Sequence, residues 1–217
     1  MYAIIKRGTD IILAVILLIV FAIPMVIIAI AIKLEDGNEI IYRSRRIGKG
    51  IKEFNVYKFR TMKSDREELK SNLAHEQMVT KIGKFLRRTS LDELPQLFNI
   101  IKGEMSFIGP RPWIPEYYEF FTEEQMKRAS IRPGISGLAQ VKGRNGISIF
   151  EKINYDLEYI EKMGLWQDIK IVFETIKTVV SKENAEISEQ GIKEEIQELK
   201  INNIKIKQNA TKFREVV

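Results

Sequence analysis

An apolar run near the N-terminus constrains the fold of this chain more than any other feature. It extends from Ile11 to Ile32, 22 residues without a charged or strongly hydrogen-bonding side chain. As a straight helix the run would be about 33 Å long, close to the hydrocarbon thickness of a bilayer. A cleaved signal peptide is the alternative, because Lys6 and Arg7 precede the run and Ala29-Ile30-Ala31 resembles a cleavage site. The run exceeds the apolar core of a typical signal peptide, which favours a membrane-embedded segment.

A proline lies inside the apolar run. Pro24 would remove one helical hydrogen bond and clash with the carbonyl of Val20, which would then lack a partner in lipid. A bend there would return the chain to the side it entered, through segments 11–23 and 24–32 that are each too short to span a bilayer. Basic residues flank both ends, as expected when both ends are cytosolic, although a single span with its N-terminus outside also fits. We predict a Pro-broken re-entrant membrane helix over residues 1–35.

The remainder of the chain predicts a small membrane-associated cytosolic body, α+β in class and mostly helical. Alternating β-formers predict a short β-hairpin with strands at Glu39–Tyr42 and Glu53–Phe59 and a turn at Gly48-Lys49-Gly50. Helices, several of them amphipathic, are predicted for Ser64–His75, Leu94–Ile101, Pro115–Ala129, Ile153–Met163 and Ile169–Val180. Residues 36–180 would form one catalytic domain. The extension at 181–217 would be a charged helix or partly disordered, and a homo-oligomer formed through it is a further expectation.

Composition limits the chemistry that such a body can perform. The chain of 217 residues has no cysteine and a single histidine, His75. Thiol catalysis, disulfides, zinc–thiolate sites and iron–sulfur clusters are therefore excluded, and a Ser-His-Asp triad is disfavoured. The net charge is +6, and seven basic residues lie between Arg43 and Arg60. Such a cluster indicates an anionic partner, namely nucleic acid, lipid head groups or a phosphorylated substrate. A solvated basic face is the alternative.

Two stretches carry residues suited to chemistry on such a partner. The first holds the adjacent acids Asp92 and Glu93, but a capping box from Ser90 to Glu93 would explain the same residues without chemistry. The second holds Arg111 between Pro110 and Pro112, which restrict the backbone around the guanidinium. The adjacent acids and the restrained arginine together favour a phosphate site, although each of the two signals alone is weak.

A third stretch, Arg132–Asn145, combines glycines with Arg132 and Arg144. Its backbone could approach a nucleotide or phosphate closely, because glycine has no side chain to obstruct the contact. It lacks the glycine spacing of a Walker A loop or of a dinucleotide-binding loop. The alternative is an ordinary turn-rich connection.

Five motifs in a fixed order resemble the small monotopic phosphoglycosyl transferases of bacterial surface-glycan pathways, the bacterial sugar transferase family. The resemblance covers residues 1–180 and rests on the Pro-broken membrane segment, Tyr57–Met62, Ser90–Gln96, Met105–Pro112 and Arg132–Asn145. It implies transfer of a sugar-1-phosphate from a UDP-sugar to undecaprenyl phosphate, with release of UMP, at the cytosolic face of the bacterial inner membrane. The chain departs from the family pattern at Ile23, where serine is usual, at Ser136 (threonine) and at Lys142 (asparagine).

The resemblance also implies roles for individual residues. Asp92 would be the nucleophile that forms a covalent phosphosugar intermediate, and Glu93 would bind Mg²⁺ together with Asp92. The chemistry suits these residues, because a carboxylate can attack phosphorus and later leave, and Mg²⁺ takes one or two carboxylates plus phosphate oxygens. Asp156 is a candidate accessory acid whose alternative is a helix-surface position. For the substrate phosphates we expect Arg87, Arg111, Lys58, Arg60 and Arg144.

The aromatic residues that follow the Pro-Arg-Pro motif suit a membrane-interface surface, with core packing as the alternative. They are Trp113, Tyr117, Tyr118, Phe120 and Phe121. Embedding this part of the body in the interface would bring a lipid acceptor and a cytosolic donor together. The membrane lipids themselves are thus an expected partner.

Two non-enzymatic alternatives remain open. A membrane-anchored protein that binds nucleic acid or another anionic ligand would explain the basic stretch. It would leave Asp92 and Glu93 without a role, and no nucleic-acid-binding motif is present, so we expect no nucleic acid partner. A non-catalytic scaffold on a single span, with the tail as an interaction helix, is the other alternative. The sequence does not identify the sugar, although the compact length favours an acetamido sugar by family analogy.

Overall fold

The first helix runs through the whole apolar segment. The computed structural model describes residues 2–37, 39–63, 78–143, 147–180 and 191–202. In it, α1 extends from Tyr2 to Asp36 as one helix with Pro24 inside it. The predicted break at Pro24 is therefore wrong, since the segments before and after the proline belong to the same helix. Buried residues such as Ala14 and Ile28 pack on both sides of the proline. This packing holds the helical geometry and outweighs one missing backbone hydrogen bond.

Both ends of α1 are bound to the same body. Near its start, the Arg7 guanidinium donates to the carbonyls of Ile100 and Ile101 at 2.7 and 3.2 Å. Near its end, the Glu35 carboxylate accepts from the backbone N–H groups of Lys81 and Ile82 at 2.7 and 3.0 Å. Between these points buried or half-buried positions recur every three to four residues, so one face of α1 lies along the body.

The other faces of α1 are exposed and apolar. Ile19, Val20, Ile23 and Ile27 expose between 61% and 74% of their surface. Within the described residues α1 is the one helix that is long and apolar enough to cross a membrane, judged by length and composition. Between residues 11 and 30 all exposed side chains of α1 are aliphatic, and such a surface is suited to lipid.

A β-hairpin follows α1. Its antiparallel strands are β1 (Ile41–Ile47) and β2 (Glu53–Phe59), joined by a turn that contains Gly50 at φ 69°. The second strand and the turn confirm the prediction. The first strand overlaps the predicted Glu39–Tyr42 at only two residues and continues to Ile47. The prediction ended too early because the arginines of β1 occupy largely exposed positions and interrupt the apolar alternation on which it relied.

The rest of the body is built from short elements. Two of them, β3 (Ser106–Ile108) and β4 (Gly134–Ser136), form a two-stranded parallel sheet. The helices are α2 (Lys81–Thr89), α3 (Gln96–Lys102), α4 (Pro115–Tyr118), α5 (Glu123–Met126), α6 (Leu138–Lys142), α7 (Ile149–Glu161), α8 (Leu165–Val180) and α9 (191–202).

Several predicted helices are confirmed with shifted ends. The helix predicted for Leu94–Ile101 is confirmed as α3, which Gly103 ends at φ 87°. The single predicted helix Pro115–Ala129 is wrong, because a capping box formed by Thr122 and Gln125 starts a separate helix, α5. The predicted helix Ser64–His75 lies outside the described residues. Helices α7 and α8 each begin four residues earlier than expected.

The glycines of the Arg132–Asn145 stretch serve packing in the structure. A Cβ atom on Gly134 would lie 2.2 Å from the backbone nitrogen of Gly109, so glycine is needed where the end of β3 approaches β4. Arg132 is also used internally, because its Nε donates to the carbonyl of Gly103 at 2.7 Å. The expectation that this backbone cradles a ligand is therefore wrong for Gly134, whose lack of a side chain serves the contact between strands.

The aromatic residues after the Pro-Arg-Pro motif belong to the core. Trp113, Tyr117 and Tyr118 are between 5% and 8% exposed, and they form one cluster with residues of β1, α7 and α9. Phe120 and Phe121 pack against the same cluster. The expected membrane-interface surface is therefore wrong for these residues. The described part of the tail, α9, folds back on the same chain and covers them.

Candidate active site

The adjacent acids lie in a tight turn between two helices. The 3₁₀ turn Leu91–Glu93 connects α2 to α3, and Ser90 before it has φ 56°, a left-handed conformation that few non-glycine residues adopt. The side chain of Ser90 makes no capping hydrogen bond, and α3 begins only at Gln96. The capping-box explanation of these residues is therefore wrong. Backbone strain of this kind is concentrated at functional sites.

One lysine holds both acids. The Nζ atom of Lys58, near the end of β2, lies 2.7 Å from Oε1 of Glu93 and 3.8 Å from Oδ2 of Asp92. The Asp92 side chain is 8% exposed, whereas those of Lys58 and Glu93 are 25% and 22% exposed. Two carboxylates thus face one ammonium group, and Lys58 and Glu93 are partly open to solvent whereas Asp92 is buried. Carboxylates in such a place are groups that could attack an electrophile or bind a cation.

The electrostatics keep Glu93 ionised. Burial raises the pKa of Glu93, but the charges of Lys58 and Arg111 and the hydrogen bonds from Lys58 and Gln96 outweigh it and lower the pKa below the usual range. Arg111 is itself exposed, so its guanidinium is available to a ligand. The structure therefore brings together four of the predicted residues, namely Lys58, Asp92, Glu93 and Arg111.

The other predicted phosphate ligands lie in different surroundings. Arg87, in the last turn of α2, donates from Nε to the hydroxyl of Thr61 at 2.9 Å. Arg60 donates from Nε to the carbonyl of Glu39 at 2.7 Å and pairs with its carboxylate at 3.2 Å, which binds it to the chain leading into the hairpin. Arg144 lies outside the described residues. Their roles as phosphate ligands stay predictions.

A second charged pair, buried next to the site, was not predicted from the sequence. Arg128 donates to Oδ2 of Asp156 from Nη2 at 2.6 Å and from Nε at 3.1 Å, and both side chains are 1% exposed. The guanidinium also lies 3.9 Å from the Trp113 ring and donates to the Tyr118 hydroxyl at 2.8 Å. Asp156 is thus buried, and the alternative of a helix-surface position is wrong.

This buried pair supports the backbone of the site. Nη2 of Arg128 donates to the carbonyl of Arg111 at 2.8 Å, which fixes the chain next to the exposed guanidinium. Nothing in the sequence distinguishes Arg128 from the neighbouring surface bases, since its role depends on residues 10 to 28 positions away. Only the tertiary structure identifies it.

The carboxylates of the site can be compared with the ligands that Mg²⁺ takes in proteins. Among the described residues no group of three or more histidines, cysteines, aspartates or glutamates could hold a metal ion. Asp92 and Glu93 provide two adjacent carboxylates, and Mg²⁺ commonly takes one or two carboxylates, water and the phosphate oxygens of a substrate. The residues therefore fit Mg²⁺ when a phosphorylated substrate completes the coordination.

Known proteins are similar to most of this chain. The model of a family described as bacterial sugar transferase matches residues 1–182. A galactosyl transferase, CpsE, of Streptococcus agalactiae is 41% identical over 189 residues, which cover 81% of this chain and 42% of the relative. A UDP-N-acetylgalactosamine-undecaprenyl-phosphate N-acetylgalactosaminephosphotransferase of Aeromonas hydrophila is 42% identical, over 83% of this chain and 44% of the relative. The uncharacterised sugar transferase EpsL of Bacillus subtilis is 37% identical over 83% of this chain and 89% of its own length.

The chain belongs to the bacterial sugar transferase family. This confirms the resemblance found in the motifs. The chain spans less than half the length of the first two relatives, at 42% and 44%. It spans 89% of the Bacillus subtilis relative, so the family also includes proteins of similar size.

Proposed function

We propose that this protein transfers a sugar-1-phosphate from a UDP-sugar to undecaprenyl phosphate and releases UMP. The observation that supports this function best is the pair Asp92 and Glu93, held by the single ammonium of Lys58 beside the exposed Arg111. A relative that matches 83% of this chain is named for the same type of transfer between a UDP-sugar and undecaprenyl phosphate. The product would be the first lipid-linked intermediate of a surface glycan.

The first step is a displacement at phosphorus. A carboxylate oxygen of Asp92 attacks the β-phosphorus of the UDP-sugar, and the bond from that phosphorus to the oxygen bridging to UMP breaks. An acyl phosphate forms between Asp92 and the sugar-1-phosphate, and UMP leaves with the bridging oxygen. Lys58 and Arg111 stabilise the negative charge on the phosphate oxygens as the bond breaks.

The second step returns the enzyme to its starting state. A phosphate oxygen of undecaprenyl phosphate attacks the same phosphorus, and the bond to the Asp92 oxygen breaks. The product is undecaprenyl diphosphosugar, and the Asp92 carboxylate is regenerated. Mg²⁺ bound by Asp92 and Glu93 would supply positive charge to the diphosphate. Because the pKa of Glu93 is lowered, this residue is ionised at neutral pH and suited to that role.

The membrane placement follows from the attachment of α1. A helix that crosses a bilayer leaves a body on one side of it, whereas the hydrogen bonds of Arg7 and Glu35 bind both ends of α1 to one body. We therefore place α1 in the leaflet next to that body, with both of its ends on the cytosolic side of the inner membrane. Both ends then lie on the same side of the membrane, as in the re-entrant prediction, but the helix is continuous through Pro24 and does not turn back there.

A second apolar surface supports the same placement. The outer face of α8 exposes Leu165, Trp166, Phe173 and Ile176, each by 56% to 81%. These positions share one side of the helix, opposite the buried Asp168 and Ile171. The hydroxyl of Tyr2, at the start of α1, donates to Asp168 at 2.6 Å, so the two apolar surfaces meet at one end. An amphipathic helix of this kind suits the membrane interface.

Labelling of single cysteines tests the placement, because the natural chain has none. Ile4→Cys and Leu34→Cys lie near the two ends of α1, at positions that are 80% and 83% exposed. An impermeant thiol reagent should modify both from the cytosolic side of inverted vesicles and neither from the opposite side. Modification from opposite sides would contradict the re-entrant path and favour a single span.

The activity is tested with protein reconstituted in nanodiscs. We expect UMP release from at least one UDP-sugar in the presence of Mg²⁺ and undecaprenyl phosphate. The donors tested are the UDP derivatives of glucose, galactose, N-acetylglucosamine and N-acetylgalactosamine. Asp92→Asn should lower the rate by at least about a thousandfold, since the amide is a poor nucleophile. Glu161→Gln, an exposed acid on α7, is the matched control and should change nothing.

A trapping experiment separates the covalent route from a direct transfer. Donor labelled in the sugar, given without acceptor, should label wild-type protein and fail to label Asp92→Asn. Turnover that survives in Asp92→Asn would remove this residue as the nucleophile. Absence of UMP release from every donor would favour the non-catalytic scaffold.

A further inference from the structure

The helix α9 lies beyond the part of the chain that the family model matches. The model covers residues 1–182, whereas α9 spans 191–202. Its Leu199 is fully buried, in a cluster with Ile47, Trp113 and Tyr117. The charged tail thus contributes a core residue to the body that contains the site.

Polar contacts fix the same helix. The Tyr117 hydroxyl donates to Oε2 of Glu195 at 2.5 Å, and Nζ of Lys152 donates to Oε1 at 2.5 Å. The side chains of Lys152 and Glu195 are only 11% and 15% exposed. Nζ of Lys200 lies 4.6 Å from the centre of the Phe120 ring. Glu195 is therefore the point at which α9 is bonded both to α4 and to α7.

The residues that α9 contacts lead directly to the site. Tyr117 lies in α4, six residues after Arg111. Trp113, in the same cluster, stacks on the Arg128 guanidinium, which holds the carbonyl of Arg111 at 2.8 Å. The carbonyl of Trp113 also accepts from the N–H of Ile47 at 2.9 Å, which fixes the segment to the hairpin. One continuous set of contacts thus joins Glu195 to the backbone of Arg111.

We infer that α9 acts as a clamp, meaning a helix that packs on its own chain and holds a segment of the site in place. Within it, Glu195 is a positioning residue for Arg111. The clamp holds α4 and the segment from Arg111 to Trp113, so that the guanidinium meets the diphosphate of the donor. This inference rests on the proposed function, since it assigns Arg111 to the donor phosphates. It gives the extension a role in the site of its own chain.

A double-mutant cycle tests the clamp with the full chain in nanodiscs. Glu195→Ala should raise KM for the UDP-sugar about tenfold and leave kcat within about threefold, because it displaces a binding group and not the nucleophile. Glu198→Ala, exposed on the same helix, is the matched control and should alter neither value. In an Arg111→Ala background Glu195→Ala should add less than twofold, since both changes remove the same contact.

Additive losses in the cycle would overturn the clamp and leave Glu195 with a structural role. Hydrogen–deuterium exchange of residues 109–122 measures the protection of this segment and does not depend on catalytic activity. Glu195→Ala should raise exchange there several-fold while Glu198→Ala does not, and unchanged exchange would also overturn the inference. Glu195→Gln serves if the alanine variant fails to fold, because it keeps an acceptor for Tyr117 and loses the charge that Lys152 binds. Wild-type protein that releases no UMP would count against the proposed function, while the exchange experiment still tests the clamp.

Discussion

Two acid–base groups in this molecule use similar residues for opposite purposes. In the first, Lys58 faces both Asp92 and Glu93 at the edge of the body, and the lysine is 25% exposed. In the second, Arg128 faces Asp156 alone, and both are 1% exposed. The first group lies beside the exposed guanidinium of Arg111, and its Lys58 and Glu93 are partly open to solvent. The second is neutral as a pair and is enclosed by Trp113 and Tyr118.

The difference shows that the residues proposed to react and the residues that hold the backbone lie in different environments of one fold. In the proposed mechanism Asp92 attacks phosphorus, and its carboxylate lies 3.8 Å from the lysine that also pairs with Glu93. A charge that must fix the backbone is best buried, because water then does not compete for its hydrogen bonds. Arg128 meets this condition and holds the carbonyl of Arg111. The comparison predicts that loss of Arg128 lowers the stability of the fold, whereas loss of Lys58 lowers the rate of turnover.

The largest expected effect is on stability, at the buried pair. Arg128→Met should lower the free energy of unfolding by about 3–5 kcal/mol, because it leaves Asp156 buried without a counter-charge. Urea unfolding of detergent-solubilised protein measures the loss. The neighbouring Lys127→Met is the matched control, since its pair with Glu124 is 62% exposed on both sides. It should change the stability by at most about 1 kcal/mol. Equal losses in the two variants would contradict the contrast between the two groups.

The next largest expected effect is on activity, at the group formed by Lys58, Asp92 and Glu93. Lys58→Met should lower UMP release on the order of a hundredfold, because the charge beside the phosphate oxygens is lost. Its stability should fall by less than that of Arg128→Met, since the ammonium is 25% exposed and water can partly replace it. Lys52→Met, exposed in the hairpin turn, is the control for both measurements. A loss of stability as large as that of Arg128→Met would show that the two groups do not differ in role.

The features that depend on neighbouring residues in the chain could be predicted from the sequence. The strand Glu53–Phe59 has its own alternation of side chains, and Gly103 ends α3 because it adopts a positive φ. The acids Asp92 and Glu93 could be identified because the motif around them resembles a family to which the chain belongs. Each of these features depends on residues that are close together in the sequence.

The features that were missed depend on distant residues. Pro24 suggested two helices, but packing of α1 on the body keeps one. The aromatic residues after Arg111 suggested a lipid surface, but α9, about 80 positions later, covers Trp113 and Tyr117. Arg128 was missed because its partners come from three separate segments. A pattern within a single segment does not contain such information.

The attachment of α1 at both ends bears on how this protein can be handled. Ala14 packs with Leu97 and Ile100, and Ile28 and Ile32 pack with Phe59 and Leu86, so α1 contributes to two of the core clusters of the body. Asp10 is buried and accepts a hydrogen bond from Ser106 at 2.8 Å. The long apolar helix α1 is therefore an integral part of the folded body and not a separate segment attached to it. We expect a fragment without α1 to lose the packing of both clusters and therefore much of its stability.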